Sequence, residues 1–167
     1  FDLDPGAPAA LGECCEVALL LREALDHLGL QCHAKTSGSK GMQVYVPLNR
    51  GEATYDDTKP FAHGVAKVLE RRHDLIVSVM KKEVRKGKVF IDWSQNDRHK
   101  TTVGPYSLRA RERPTVSTPL SWDEVDHGAG GGSADLVFEA GEVLERIDEH
   151  GDLFAGVLDT EQELPDL

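Results

Sequence analysis

An acidic side chain inside an apolar strand is expensive to bury unless something pairs with it, and this chain carries such residues in two places. Phe1-Asp2-Leu3-Asp4 alternates apolar with acidic and stops at Pro5-Gly6, the pattern of a short strand and its end. Alternate side chains of a strand share a face, so Asp2 and Asp4 point the same way, about 6.6 Å apart. Carboxylates that close repel one another, and a buried pair needs a cation; a pair on a solvent-facing edge does not. Val89-Phe90-Ile91-Asp92-Trp93 holds the third acid. Its partner is either a metal ion or a nearby Lys or Arg.

The rest of the chain supplies elements around these strands. Pro8–Leu28 has apolar residues at near-helical spacing and closes at Gly29, which predicts a helix. Leu30–Lys35 and Met42–Leu48 read as strands of a hairpin around the small, polar loop Thr36–Gly41. Asp56–His73 reads as a second helix with Phe61, Val65, Val68 and Leu69 on one face. Leu75–Val79, Val89–Trp93 and Tyr106–Ala110 read as further strands. The order strand, helix, hairpin, helix, strand, strand predicts an α+β fold. Its mixed or antiparallel sheet has helices on one face. His127–Ser133 (HGAGGGS) reads as a flexible linker, and the acidic end from Asp159 to Leu167 as disordered.

Net charge excludes less than it first suggests. The total is -10, which argues against binding phosphate backbones. Residues 1–120, however, are net +3, and residues 121–167 are net -13. Residues 81–113 alone hold 10 Lys/Arg against 4 Asp/Glu. Position therefore matters more than the sum. Cys14, Cys15 and Cys32 are an odd set without CxxC spacing, a poor basis for disulfides or a structural zinc site. No HExxH or HxxxH spacing occurs. The longest apolar run, Val17–Leu21, cannot span a bilayer. A reduced, cytoplasmic protein is expected. Phe1 opens directly into a strand, which suggests a fragment or processed chain with material upstream.

Two further segments can bind anions. In Lys35-Thr36-Ser37-Gly38-Ser39-Lys40-Gly41, small residues let backbone N–H groups approach an anion, Ser37 and Ser39 offer hydroxyls, and Lys40 offers charge; a plain turn is the other reading. In Ser107-Leu108-Arg109-Ala110-Arg111, the two arginines share a strand face suited to phosphate or to solvent. Gln95 and Lys100 lie in the polar loop after Asp92. Three carboxylates, an anion loop and a basic strand are the parts of metal-assisted phosphoryl or nucleotidyl transfer.

In order, FDLDPG, KTSGSKGMQVYVPL, VFIDWSQN, PYSLRAR and VSTPLSWDEV resemble the polymerase domain of bacterial ligase D. That domain is the end-joining branch of the archaeo-eukaryotic primase superfamily. The resemblance runs over Phe1–Val125 and more loosely to Leu158. It implies an RRM-like primase-polymerase core that lacks its N-terminal portion here. The implied activity is extension or gap-filling of DNA ends in non-homologous end joining, with two Mn²⁺ or Mg²⁺ ions. Implied partners are DNA ends with a 5′-phosphate, nucleoside triphosphates with ribonucleotides preferred, Ku and a ligase domain. The implied setting is the bacterial nucleoid, with no membrane. Asp2, Asp4 and Asp92 match the catalytic carboxylates. Ser37, Ser39, Lys40, Gln95 and Arg109 match nucleotide-binding positions. Gln43 stands where many relatives have His. Lys81, Lys82, Arg85, Lys86 and Lys100 form the expected DNA-binding set. The expected organisation is a catalytic core at 1–126, a linker at 127–133, a helical extension at 134–158 and an acidic tail at 159–167. By itself the chain is expected not to be a competent polymerase. The competing reading is a non-catalytic DNA-end-binding or scaffold fragment.

Overall fold

The computed structural model describes residues 1–165. Six strands form one sheet: β1 (Asp2–Pro5), β2 (His33–Thr36), β3 (Met42–Tyr45), β4 (Ile76–Val77), β5 (Val89–Asp92) and β6 (Pro119–Leu120). Their order across the sheet is β4-β5-β1-β3-β2-β6. β4 and β5 run parallel and every other pair antiparallel. The sheet is thus mixed, as expected, and the first strand lies at its middle.

One face of this sheet is apolar. Leu3 pairs with Ile91 on one side and Met42 on the other, and all three are fully buried. Helix α1 (Leu11–His27) covers them with a stripe of Cys14, Val17, Ala18, Leu21 and Leu25, one face at helical spacing. Helix α2 (Tyr55–Arg72) adds Phe61, Ala66 and Leu69 to the same core. Its start is fixed by Thr54, whose hydroxyl accepts from the Asp56 amide while Asp57 accepts from the Thr54 amide, a reciprocal cap. The three cysteines are buried and free.

Several segments differ from the sequence-based expectation, each for a local reason. β2 begins at His33, because the Leu30 amide turns back to the Leu25 carbonyl to close α1. β3 ends at Tyr45, ahead of Pro47, which has no N–H for the ladder. β4 keeps two of its five expected residues. Tyr106–Ala110 is not a strand: Tyr106 takes a positive φ of 61°, and only Leu108 bridges to Val116. The edge position goes instead to β6, two residues long, which carries no alternation to read.

The glycine run is not an open linker. After α3 (Trp122–His127), Gly128–Gly132 continues as a wide helical turn packed on α1. Gly128 is buried, and a Cβ there would stand 2.6 Å from Leu136 Cδ1 and 2.8 Å from Cys15 Sγ. The missing side chain is what lets α1 and this turn approach. Helix α4 (Ala140–His150) and the short α5 (Gly156–Asp159) follow. The acidic end also has fixed contacts. Asn49 Nδ2 donates to the carbonyls of Val157, Leu158 and Thr160, the Gln162 side-chain amide accepts from the Gln31 N–H and donates to the Gln31 carbonyl, and Leu164 packs against the core. The expectation of disorder is corrected up to residue 165; its last two residues, Asp166 and Leu167, lie outside the described residues.

Gly128→Ala is expected to destabilise the protein by about 1–3 kcal/mol, the usual effect of overpacking a core. Gly130→Ala, which meets open space, is expected to change stability by under about 0.5 kcal/mol. Urea unfolding of both variants checks this; equal, negligible effects would mean the run is a linker after all.

Candidate active site

The face opposite the apolar one carries the chemistry. Strand pairing sets Asp2 directly across from Asp92 on β5 and from Gln43 on β3, and Gln43 across from Lys35 on β2. Residues opposed in a sheet share a face. A row Asp92–Asp2–Gln43–Lys35 therefore crosses four strands. Asp4 follows on the same face of β1, across from Phe90.

The carboxylates are held differently. Asp92 is buried, and its Oδ1 accepts from the Ser94 amide at 3.0 Å and the Ser94 hydroxyl at 2.5 Å. Asp2 is half-buried; desolvation first, then the charge of Asp4, pushes its carboxyl up to about 6, against lowering contributions from the Phe1 α-ammonium and then the Gln43 amide. Asp4 is exposed by comparison and is raised by partial burial and by Asp92, while Arg85 opposes the rise. Among the described residues none of the three acids has a salt-bridge partner. The bland reading of Asp92 as one half of a buried ion pair is therefore not what the fold builds.

Three carboxylates gathered without a salt-bridge partner among the described residues suit a hard divalent ion. Among the described residues no group of three or more His, Cys, Asp or Glu side chains is placed to hold a metal ion by itself. The donors fit Mg²⁺ or Mn²⁺ of the kind held by one or two carboxylates and completed by water and substrate phosphate, not an all-protein site.

The loop and the basic segment expected to bind anions converge on the end of β1 that carries Asp4. The loop Ser37–Gly41 joins β2 to β3, and a Cβ on Gly41 would lie 2.0 Å from the Leu3 carbonyl oxygen, so the loop rests directly on β1. Ser37 Oγ donates to the Gly41 carbonyl and accepts from the amides of Ser39 and Gly41. That hydroxyl shapes the turn. Gly38 has a φ of 64° and presses on Arg109, whose Cγ would be 2.7 Å from an added Cβ. Arg111 donates to the Ser39 hydroxyl. Lys40 is exposed. Ser37, Ser39, Lys40 and Arg109 are thus brought together from two distant stretches.

Of the basic set, Lys81, Lys82, Lys86 and Lys100 are exposed. Arg85 is not free in the same way: its guanidinium lies 3.7 Å from the Phe90 ring centroid and donates to the Met80 carbonyl. That places it beside Asp4, as a counter-charge at the edge of the carboxylate row. Gln95 does not join the row; its side-chain oxygen is buried with no hydrogen-bond partner among the described residues. Trp93 stacks on His63 at 3.8 Å and donates to the Ser78 carbonyl, a packing role.

Sequence reasoning missed two features. Lys35 stands at the end of the expected strand and at the head of the expected anion-binding segment with no role of its own, yet it is fully buried in the row. Tyr45, two residues after Gln43, joins Gln43 and Thr102 in a hydrogen-bonded trio. Beside it opens a cleft of about 180 Å³ lined by Asp2, Gln43, Tyr45, Phe61, Thr102 and Leu164. The signal for both was the strand alternation Lys35 and Gln43-Val44-Tyr45, which puts polar side chains on the carboxylate face.

Residues 1–154 match the family described as LigD, primase-polymerase domain. The chain belongs to this LigD family. It is 44% identical over 161 residues to the multifunctional non-homologous end joining protein LigD of Mycolicibacterium smegmatis, covering 93% of this chain and 20% of that protein. It is 39% identical over 127 residues to LigD of Pseudomonas aeruginosa, covering 75% and 15%. The bifunctional LigD of Bacillus subtilis is 31% identical over 152 residues, covering 90% and 24%. In structure it superposes on the polymerase domain of Mycobacterium tuberculosis ligase D, solved in complex with DNA, with a TM-score of 0.86 and 40% identity. That match covers 96% of this chain and 54% of the other. The chain thus spans about a fifth of the LigD proteins and about half of the solved domain. No helix among the described residues is long and apolar enough to cross a membrane.

A raised carboxyl pKa means the folded state binds the Asp2 proton more tightly than the unfolded chain does. Folding is favoured by this group at low pH, and that contribution is lost as pH rises from about 4 to about 6. Relative to Asp2→Asn, the unliganded protein should lose about 1–3 kcal/mol between pH 4 and pH 7. Denaturant melts across that range check it; parallel stability curves would show that Asp2 is not under strain.

Proposed function

We propose that this domain is a nucleotidyltransferase that adds nucleotides to DNA 3′ ends at breaks, in the manner of a primase-polymerase. The observation that carries this reading is the Asp92–Asp2 pair across β1 and β5, which has no salt-bridge partner among the described residues and is flanked by the Ser37–Gly41 loop and Arg109. Membership of the LigD primase-polymerase family supports it.

Asp2, Asp4 and Asp92 would hold Mn²⁺ or Mg²⁺, as a pair of ions. Such ions, when bound, supply Lewis-acid charge to the transferring phosphate and its leaving group. Every other role belongs to the chain itself. Lys40, Arg109 and the Ser39 hydroxyl bind and orient the β- and γ-phosphates, which accumulate charge as pyrophosphate leaves, and Ser37 serves the same nucleotide-binding loop by holding its turn through the Gly41 carbonyl. Ser94 fixes the rotamer of Asp92 through two hydrogen bonds. The Gln43 amide sits beside Asp2 and is tied back to Thr102, which orients that carboxylate without moving a proton. Gln95 is assigned a weaker nucleotide-binding part, next to Asp92 in sequence. The cleft beside Asp2 offers hydroxyls from Tyr45 and Thr102 at its edge, in keeping with a sugar, and ribonucleoside triphosphates are the proposed substrates.

Lys81, Lys82, Arg85, Lys86 and Lys100 are assigned to the DNA backbone. They belong to the basic stretch that also holds Asp92 and Arg109, so the backbone would pass the site. The proposed DNA carries a 5′-phosphate at its end, and the proposed partners are Ku and a ligase domain, acting in the nucleoid. The second reading, a DNA-end scaffold without catalysis, is separated by one experiment.

In the full-length protein, single-nucleotide addition to a gapped, 5′-phosphorylated duplex should require Mn²⁺ or Mg²⁺. Asp2→Ala and Asp92→Ala should each lower it by about a thousandfold, and Arg109→Ala should raise the KM for the triphosphate. Gel analysis of product and release of pyrophosphate read this out. DNA binding without metal-dependent incorporation would assign the scaffold role instead.

A further inference from the structure

Lys35 is among the largest fully buried side chains of the described residues, at 0% exposure. Buried ammonium groups are normally matched by a carboxylate. Lys35 has none within 4 Å among the described residues. Its Nζ donates instead to two neutral acceptors, the Val103 carbonyl at 3.0 Å and Ser117 Oγ at 2.6 Å. The Ser117 hydroxyl proton is already committed to the Thr36 carbonyl at 2.8 Å, so Ser117 receives from Lys35 and cannot give. The Tyr45 ring closes the other side, 5.6 Å from Nζ. An apolar chain of the same length would fill this space without the cost of stripping water from a charge. The fold keeps a charge where packing does not ask for one.

Its position explains what the charge faces. Lys35 ends the row Asp92–Asp2–Gln43–Lys35. Its two significant ionic neighbours are Asp2, which favours the ammonium, and Arg109, which opposes it. Burial pulls its pKa down to about 8, so it remains a cation at neutral pH. It therefore sits between the carboxylate row and the arginine of the anion-binding cluster. A charge sealed from water acts over several ångströms with little screening.

We propose that Lys35 is a positioning residue whose buried, carboxylate-free ammonium supplies a fixed positive field at the junction of the carboxylate row and the Arg109 cluster, and so selects a polyphosphate ligand there. It acts through space and through Val103, which begins the segment leading to Arg109; it does not touch the ligand. The inference rests on the nucleotide-binding reading of this site, but its test does not need catalysis.

The decisive variants are Lys35→Met, Lys35→Gln and Ser117→Ala in the full-length protein. Lys35→Gln is neutral yet can still donate, so it guards against Lys35→Met failing to fold. The probe is inorganic tripolyphosphate, read as the shift in melting temperature on titration, with KM for a nucleoside triphosphate as the second readout. Both Lys35 variants should weaken tripolyphosphate by about tenfold, the scale of one charge at this range, and raise KM similarly. Affinity for duplex DNA should be unchanged. Ser117→Ala, which removes a contact and leaves the charge, should bind tripolyphosphate like the wild type. Wild-type affinity in Lys35→Gln, or a loss in Ser117→Ala equal to that in the Lys35 variants, would overturn the proposal. If tripolyphosphate binds as expected while no nucleotide is incorporated by the wild type, the catalytic reading fails and the Lys35 assignment stands.

Discussion

The site depends on the register of β1 against its two neighbours. Because a strand alternates its faces, burying Leu3 between Ile91 and Met42 obliges Asp2 to emerge on the other side, opposite Asp92 and Gln43. A slip of one residue would send the carboxylates into the core and Leu3 into water. Apolar burial under α1 is therefore what aims the acids. The energy comes from Leu3, Met42, Ile91, Leu21 and Leu25, none of which has any chemistry of its own. Placing β1 at the middle of the sheet lets its acids draw partners from both sides: Asp92 from β5, Gln43 and Lys35 from β3 and β2.

On the far face the electrostatics run against stability. Asp2 and Asp4 are raised by burial and by other acids, and Lys35 is lowered by burial. Each charge sits where the unliganded fold disfavours it. Ordinary structural charges in this protein behave otherwise. Glu124 is paired with Arg146 and is held below the usual carboxylate range, by hydrogen bonds that outweigh its burial. The contrast separates charges that serve the fold from charges that the fold tolerates, and strain of the second kind gathers where a ligand will relieve it.

Much of this was legible in the sequence where the signal is local. The DLD alternation, the apolar run into Asp92, the helix periods of α1 and α2 and the small-residue loop after Thr36 all have short-range patterns, and the α+β sheet follows from their order. What escaped depends on contacts between distant residues. β6 is two residues long and exists because β2 has an open edge. Gly128 looks like linker sequence until Cys15 and Leu136 stand beside it. Tyr106 leaves extended geometry and donates to Asp152 at 2.5 Å, a partner 46 residues away. Lys35 reads as one more polar residue in a strand, since nothing in Lys-Thr-Ser-Gly shows that Ser117 and Val103 will close over it.

The same distinction resolves the charge balance. A net of -10 would repel a polyanion if it were spread evenly, yet α3, within the acidic part, packs against α1, and α1 covers the face opposite the carboxylate row. Two of its acids tie it to the rest of the domain, Glu139 with Arg113 and Asp152 with Tyr106, while Glu124 pairs with Arg146 inside the acidic part. Arg113 and Tyr106 flank the segment that bears Arg109 and Arg111. Acidic side chains on the C-terminal part thus hold a basic segment in place from behind, and leave Arg109 turned toward the loop of Gly38. The negative excess is not opposed to the proposed anion binding at this site; part of it is the clamp that keeps the cationic side in register.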